Sequence, residues 1–307
     1  MNWSSLHTAS GTFNWVTADA YMAAHGALGH NAYWQVYGTP TWASSDSTHT
    51  DAYGVIGGSY PPATVDANGL YTELYNFVVA LITRYKGQIQ YIDPWNEPNF
   101  VGSFWQGTAA QMAKIARTVR EAAKSVDPTI VVTSPSFNSD ASCQAFMAAS
   151  DGATGALTAQ NGAWSAEVWS YHTYNENPFA GAAGSSSTTG IANRKAYLVA
   201  AGIANPIICV TEKGWTTAAS TFFSLSQSQQ ADFIRRELIR VASQGVRVFM
   251  LYSYESYYCG YIVSSPLIQA AIGDVHDRFA GKTYTAIEQT SWGRMKCTTL
   301  DGSVLYF

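Results

Sequence analysis

The sequence predicts an α/β fold of successive strand–helix units around a parallel sheet. Three observations point to it. Short runs rich in β-branched and aromatic residues stop at Pro, Gly or polar residues, as strands do. Amphipathic helical stretches separate these runs, which is the pattern of βα units feeding parallel strands. The strand ends carry Trp42, Trp95-Asn96-Glu97, His172, Tyr174, Glu212, Trp215, Tyr252 and Tyr254. A dinucleotide-binding sheet would show a glycine-rich phosphate turn there instead. Polar and aromatic groups at the carboxyl ends of successive strands are how a (β/α)8 TIM barrel builds its active face.

Each element has its own signal. Residues 17–28 read as a helix closed by Gly29, and 31–37 as a strand stopped by Gly38-Thr39-Pro40. Segment 50–65, with Gly57-Gly58 and Pro61-Pro62, reads as loop. Leu70, Leu74, Phe77, Leu81 and Tyr85 share a helical face, and strand 89–93 ends at Pro94. Helix 108–126 has Met112, Ile115, Ala116, Val119, Ala122 and Val126 on one stripe, a capping box in Thr108 and Gln111, and Asp127-Pro128 as its stop. Strand 129–133, a weaker helix 142–150 and strand 167–171 follow. Segment 176–190 is Gly/Ala/Ser/Thr-rich and reads as loop, with a helix over 192–201. Strand 206–210 precedes a second capping box, Ser226 with Gln229, whose helix aligns Ile234, Leu238 and Val241. Strand 246–252 is the sixth, against eight in a closed barrel. The tail 296–307 reads as a hairpin turning at Asp301-Gly302.

The chain has 307 residues, 47% hydrophobic and only 12% charged, with 10 Trp and 19 Tyr. That composition excludes wholesale disorder. A net charge of -4 argues against a nucleic-acid partner. Few charges and many rings suit a neutral, hydroxyl-rich polymer. No run is long and apolar enough to span a membrane. Met1-Asn2-Trp3-Ser4 shows neither the basic start nor the apolar stretch of a signal peptide. Cys143, Cys209, Cys259 and Cys297 have no metal-ligand spacing, and Cys209 sits in an apolar run that suits a buried thiol. The histidines likewise show no metal pattern, and no cofactor is expected.

Two glutamates stand out. Glu97 follows one strand inside Pro94-Trp95-Asn96-Glu97-Pro98-Asn99, and Glu212 follows another inside Val210-Thr211-Glu212-Lys213-Gly214-Trp215. Parallel strands send both to the same rim of a barrel. Hydrolysis of a glycosidic bond needs a proton donor for the leaving oxygen and a second carboxylate, as nucleophile or as base for water.

Trp95-Asn96-Glu97-Pro98-Asn99 resembles the Asn-Glu-Pro signature of the large clan of retaining glycoside hydrolases on (β/α)8 barrels. Thr211-Glu212-Lys213-Gly214-Trp215 looks like the clan's nucleophile strand end. Gly11-Thr12-Phe13-Asn14-Trp15 and Gly38-Thr39-Pro40-Thr41-Trp42-Ala43 resemble the xylosidase/iduronidase-like members and related bacterial exopolysaccharide endoglycosidases. The resemblance implies Glu97 as acid/base and Glu212 as nucleophile, with retention of configuration. It implies that Asn96 donates to the sugar 2-hydroxyl and that His172 lies near the nucleophile, with Tyr174 a further candidate there. It makes 31–37 the third strand, so that the first two would precede Met1, and the basic residue the clan places on its second strand has no match here.

The domain reading is a partial barrel over 1–290 and a β-hairpin, or the start of a small β domain, over 291–307. Trp215, Trp42, Trp34 and Tyr252 are the expected sugar platforms, since flat rings cover the C–H faces of sugars. Trp95 is expected as a wall behind the acid/base, and Glu255 as a rim or surface carboxylate. The expected partner is a polysaccharide or oligosaccharide cleaved at β-linkages, from within the chain. The alternatives are an exo-acting β-glycosidase and a non-catalytic carbohydrate-binding protein or inactive fragment on the same scaffold. A secreted or periplasmic bacterial location follows from the resemblance.

Overall fold

A computed structural model describes residues 2–100, 103–174, 187–215, 225–252, 265–279, 282, 284–289, 295–299 and 304–306. They form two compact units, Met1–Ser170 and Tyr171–Phe307.

The first unit opens with α1 (Trp3–Leu6), the short antiparallel pair β1 (His7–Ala9) and β2 (Thr12–Phe13), and α2 (Val16–Ala27). Gly29, at φ 70°, ends α2 as its residue type predicts. Then come β3 (Ala32–Gln35), a 3-10 turn (Thr41–Ala43), α3 (Thr72–Arg84), β4 (Ile89–Asp93), α4 (Ala109–Val126), β5 (Val131–Val132), α5 (Asp140–Ala148) and α6 (Gly162–Ser165). Strands β3, β4 and β5 pair in parallel in that order, and a bridge from Thr133 to Val168 continues the ladder. Helices α3 and α4 pack together, burying Leu74, Phe77, Val78 and Leu81 from one and Met112, Ile115, Ala116 and Val119 from the other. The Thr108–Gln111 capping box forms as expected, satisfying two N-terminal amides of α4.

An aromatic cluster fills the start of the chain. His7 is fully buried, stacked on Phe13 at 4.5 Å and edge-on to Trp42 at 4.7 Å, with Phe77 at 6.0 Å. Its Nδ1 accepts from Trp3 Nε1 at 3.1 Å. Burial holds its pKa at about 4, against an ordinary 6.5.

The boundary between units falls inside β6 (Trp169–His172). The second unit continues with α7 (Ser187–Ala200), β7 (Ile208–Lys213), α8 (Gln227–Ser243), β8 (Val248–Leu251), α9 (Pro266–Phe279), β9 (Tyr284–Gln289), β10 (Met295–Thr299) and β11 (Val304–Tyr306). Strands order as β6-β7-β8, with β7 and β8 parallel. The Ser226–Gln229 box caps α8. Trp215, Ala231, Phe233, Ile234, Ile268 and Ala271 form a core that joins α8 and α9.

All six expected strands are present, and the expected α/β class with parallel sheets holds. No closed sheet forms among the described residues. The C-terminal hairpin is three-stranded, in the order β11-β10-β9, and β9 begins before residue 291. The expected turn at Asp301-Gly302 lies outside the described residues, as do Tyr254, Glu255 and Cys259. So does most of the expected 176–190 loop, of which 187–190 belongs to α7. Cys143, Cys209 and Cys297 are buried. No described helix is long and apolar enough to cross a membrane.

Candidate active site

In the first unit the candidate chemistry sits at the end of β4. Asp93 ends that strand with its side chain fully buried. Its Oδ1 accepts from the backbone N–H of Trp95 at 3.1 Å and starts the turn that carries Asn96 and Glu97. Glu97 has φ 40°, the left-handed region, which few non-glycine residues occupy. Such a residue costs of order 1–3 kcal/mol and persists only where its surroundings over-determine it. Pro98 contributes, because the residue before a proline is disfavoured in the right-handed helical region. The Glu97 N–H donates to Ser136 O at 2.9 Å, and the Ser136 N–H donates to Trp95 O at 2.9 Å. Asn138 Nδ2 donates to Glu97 Oε1 at 3.4 Å.

Asn96 is 4% exposed, and its Oδ1 accepts no hydrogen bond among the described residues. A buried amide oxygen of this kind costs about 1–3 kcal/mol unless something donates to it. Trp95 is fully buried, edge-on to Trp105 at 5.2 Å, and its Nε1 donates to Phe104 O at 2.9 Å. Trp42 is 39% exposed, pinned by Nε1 donating to His7 O at 3.0 Å, and offers ring surface. Trp34 does not. It is 4% exposed and stacked on Tyr85 at 6.0 Å. Side chains alternate along a strand, and its neighbours Tyr33 and Gln35 take the other face, bonding Asp93 and Ser136. Trp34 belongs to the sheet–helix core and is removed from the expected sugar platforms.

In the second unit the chemistry gathers at the ends of β6 and β7. The Thr173 N–H donates to Glu212 O at 3.1 Å, tying the two strand ends together. Tyr174 Oη donates to Glu212 Oε2 at 2.7 Å, and His172 Nδ1 lies 3.4 Å from the same oxygen. The His172 side chain is fully buried, while that of Glu212 is 19% exposed. The phenol supplies that oxygen with a hydrogen-bond donor and fixes its position. The Tyr252 ring meets Tyr174 edge-on at 6.0 Å and is 39% exposed.

Trp215 is 1% exposed and packs edge-on against Phe233 at 5.6 Å in the core joining α8 and α9. It too is withdrawn from the platforms. Both corrections have one cause: a Trp near a strand end satisfies a core as readily as a sugar face. Lys213, fully buried beside Glu212, donates from Nζ to Thr173 O and lies 5.0 Å from the Trp215 ring centroid. Sequence reasoning missed Asp93, Ser136, Asn138 and Lys213. Asn138 was findable, as it follows β5 as Glu97 follows β4. Among the described residues neither unit by itself brings three His, Cys, Asp or Glu ligand atoms together.

Residues 1–140 match the family model described as Glycosyl hydrolase family 10. Solved structures share the fold. A family 39 glycoside hydrolase from Bacteroides cellulosilyticus superposes with a TM-score of 0.70 at 14% identity, covering 100% of this chain and 63% of its own. A glucosidase from Croceicoccus marinus gives 0.63 at 14% identity, covering 99% and 63%. A family 39 β-xylosidase from Caulobacter crescentus gives 0.56 at 18%, covering 84% and 54%. The chain thus spans about 63% of the length of the first two of these proteins. At these identities the likeness is one of fold, shared with glycoside hydrolases.

Proposed function

We propose that this protein hydrolyses β-glycosidic bonds within a polysaccharide by double displacement, with retention at the anomeric carbon. Glu97 protonates the leaving oxygen while Glu212 attacks the anomeric carbon. The C–O bond to the leaving sugar breaks as the Glu212 ester forms. Glu97, now ionised, takes a proton from water, the water oxygen displaces Glu212, and both carboxyls return to their starting states. Asn96 and Trp42 hold the sugar, while Tyr174 and His172 hold Glu212 in place to attack, with Tyr252 beside them.

The observation that carries this reading is the Glu212 carboxylate, half-buried at a strand end and gripped by a phenol at 2.7 Å with an imidazole 3.4 Å away. Asn96 supports it, because a substrate hydroxyl would supply the donor its buried Oδ1 lacks among the described residues. The match to a glycosyl hydrolase family model over residues 1–140 supports the class of chemistry. Low charge and exposed rings support the reading that the substrate is an extended neutral glycan, met outside the cytoplasm.

The test is hydrolysis of β-xylan, β-glucan and β-mannan by the unmodified chain and by Glu212→Gln. Loss of hydrolysis with retained glycan binding supports the proposal. Unchanged hydrolysis removes Glu212 from the mechanism. Binding without hydrolysis by the unmodified chain makes this a carbohydrate-binding protein on a hydrolase scaffold.

A further inference from the structure

We infer that Asp93 and Ser136 are positioning residues for the proton donor: a buried carboxylate–hydroxyl clamp joins the ends of β4 and β5 and holds Glu97 in its left-handed conformation. The inference rests on Glu97 being the acid/base.

The clamp is built from both sides. Asp93, fully buried at the last position of β4, accepts from three donors. They are the Trp95 N–H at 3.1 Å, Tyr33 Oη at 2.9 Å and Ser136 Oγ at hydrogen-bond contact. The first bond shapes the turn leading to Glu97, and the third takes hold of the neighbouring chain. Ser136 is equally buried. Its hydroxyl also meets Ser170 Oγ at 2.7 Å and accepts from Gln35 Nε2 at 3.4 Å. With its side chain fixed in this way, its backbone grips the turn twice, donating to Trp95 O and accepting from Glu97 N, each at 2.9 Å. Two residues on, Asn138 Nδ2 reaches Glu97 Oε1. The path from the Asp93 carboxylate to the Glu97 side chain is therefore continuous through Ser136.

A left-handed glutamate has an accessible alternative in the extended region, to which its following proline inclines it. Relaxation there would swing the carboxyl away from the leaving oxygen, and small misplacements of a proton donor are felt strongly in rate.

The test uses leaving-group dependence, because a proton donor matters only for a leaving group that needs a proton. For Ser136→Ala and the milder Tyr33→Phe, kcat/KM is measured on the methyl and the 2,4-dinitrophenyl β-glycosides of the sugar the unmodified chain hydrolyses. The expected result is a loss of about 10-fold or more on the methyl glycoside and little change on the dinitrophenyl glycoside, with Tyr33→Phe showing the same selectivity at smaller size. Equal losses on both substrates, or no loss on either, overturn the clamp while leaving the functional reading intact. The selective loss in Glu97→Ala is the internal control. Its absence, or inactivity of the unmodified chain, overturns the functional reading and the clamp with it.

Discussion

Tyr174 Oη donates a hydrogen bond to Glu212 Oε2 at 2.7 Å. The two residues sit on neighbouring chain segments tied by the Thr173–Glu212 backbone bond, so the phenol addresses a fixed oxygen. A hydrogen bond to a charged group contributes about 1.5–3 kcal/mol. Tyr174→Phe should therefore lower kcat/KM on a β-glycan by about 10- to 100-fold, with the melting temperature little changed. Steady-state kinetics beside thermal unfolding checks this.

Glu97 at φ 40° carries backbone strain that glycine would not. Glu97→Gly should raise stability by up to about 1 kcal/mol while abolishing hydrolysis of unactivated glycans. Denaturant unfolding gives the first quantity and reducing-sugar release the second. A destabilised Glu97→Gly would mean that the side chain, through Asn138, holds the turn more than the backbone opposes it.

Trp34 and Trp42 separate burial from function. Trp34→Ala empties a core site and should cost about 3–5 kcal/mol. Trp42→Ala removes a ring that is 39% exposed, and should weaken glycan binding, read by calorimetry, with a much smaller loss of stability.

His7 gives the fold a pH dependence. Its pKa is held at about 4 in the folded chain against 6.5 in the unfolded one. Above pH 6.5 the ring is neutral in both states and contributes no slope. Between pH 6.5 and 4 the unfolded chain binds a proton that the folded chain refuses, so stability falls as pH falls, by roughly 3 kcal/mol in all. His7→Phe should lose that part of the slope, whatever it does to stability at pH 7. Denaturant midpoints at pH 7 and 4 for both proteins give the comparison.

The strands and capping boxes were legible in the sequence because their causes are local. Thr108 with Gln111 and Ser226 with Gln229 cap their helices, since a capping box needs only residues three apart. Helix α9 and strand β9 went unread, although Ser265-Pro266 opens the one and Ala280-Gly281 precedes the other. Glu97 and Glu212 were legible as candidates because each lies at or just beyond a strand end. The groups around them were less so. Asp93 and Ser136 lie 43 residues apart, and an Asp before Pro94 reads as a strand stop before it reads as a clamp. His7 joins rings from positions 3, 13, 42 and 77, a convergence that only the tertiary structure produces. Trp34 and Trp215 misled for the opposite reason, since indole surface is equally at home against Tyr85, Phe233 or a sugar.

In the proposed mechanism Glu212 forms a covalent bond to the sugar. A 2-deoxy-2-fluoro β-glycoside with a dinitrophenyl leaving group slows the second displacement, so the intermediate accumulates and peptide mass spectrometry locates it. One glycosyl group per chain is expected, on the peptide containing Glu212 and absent from Glu212→Gln. A glycosyl group on any other residue, or rapid turnover in Glu212→Gln, would contradict it.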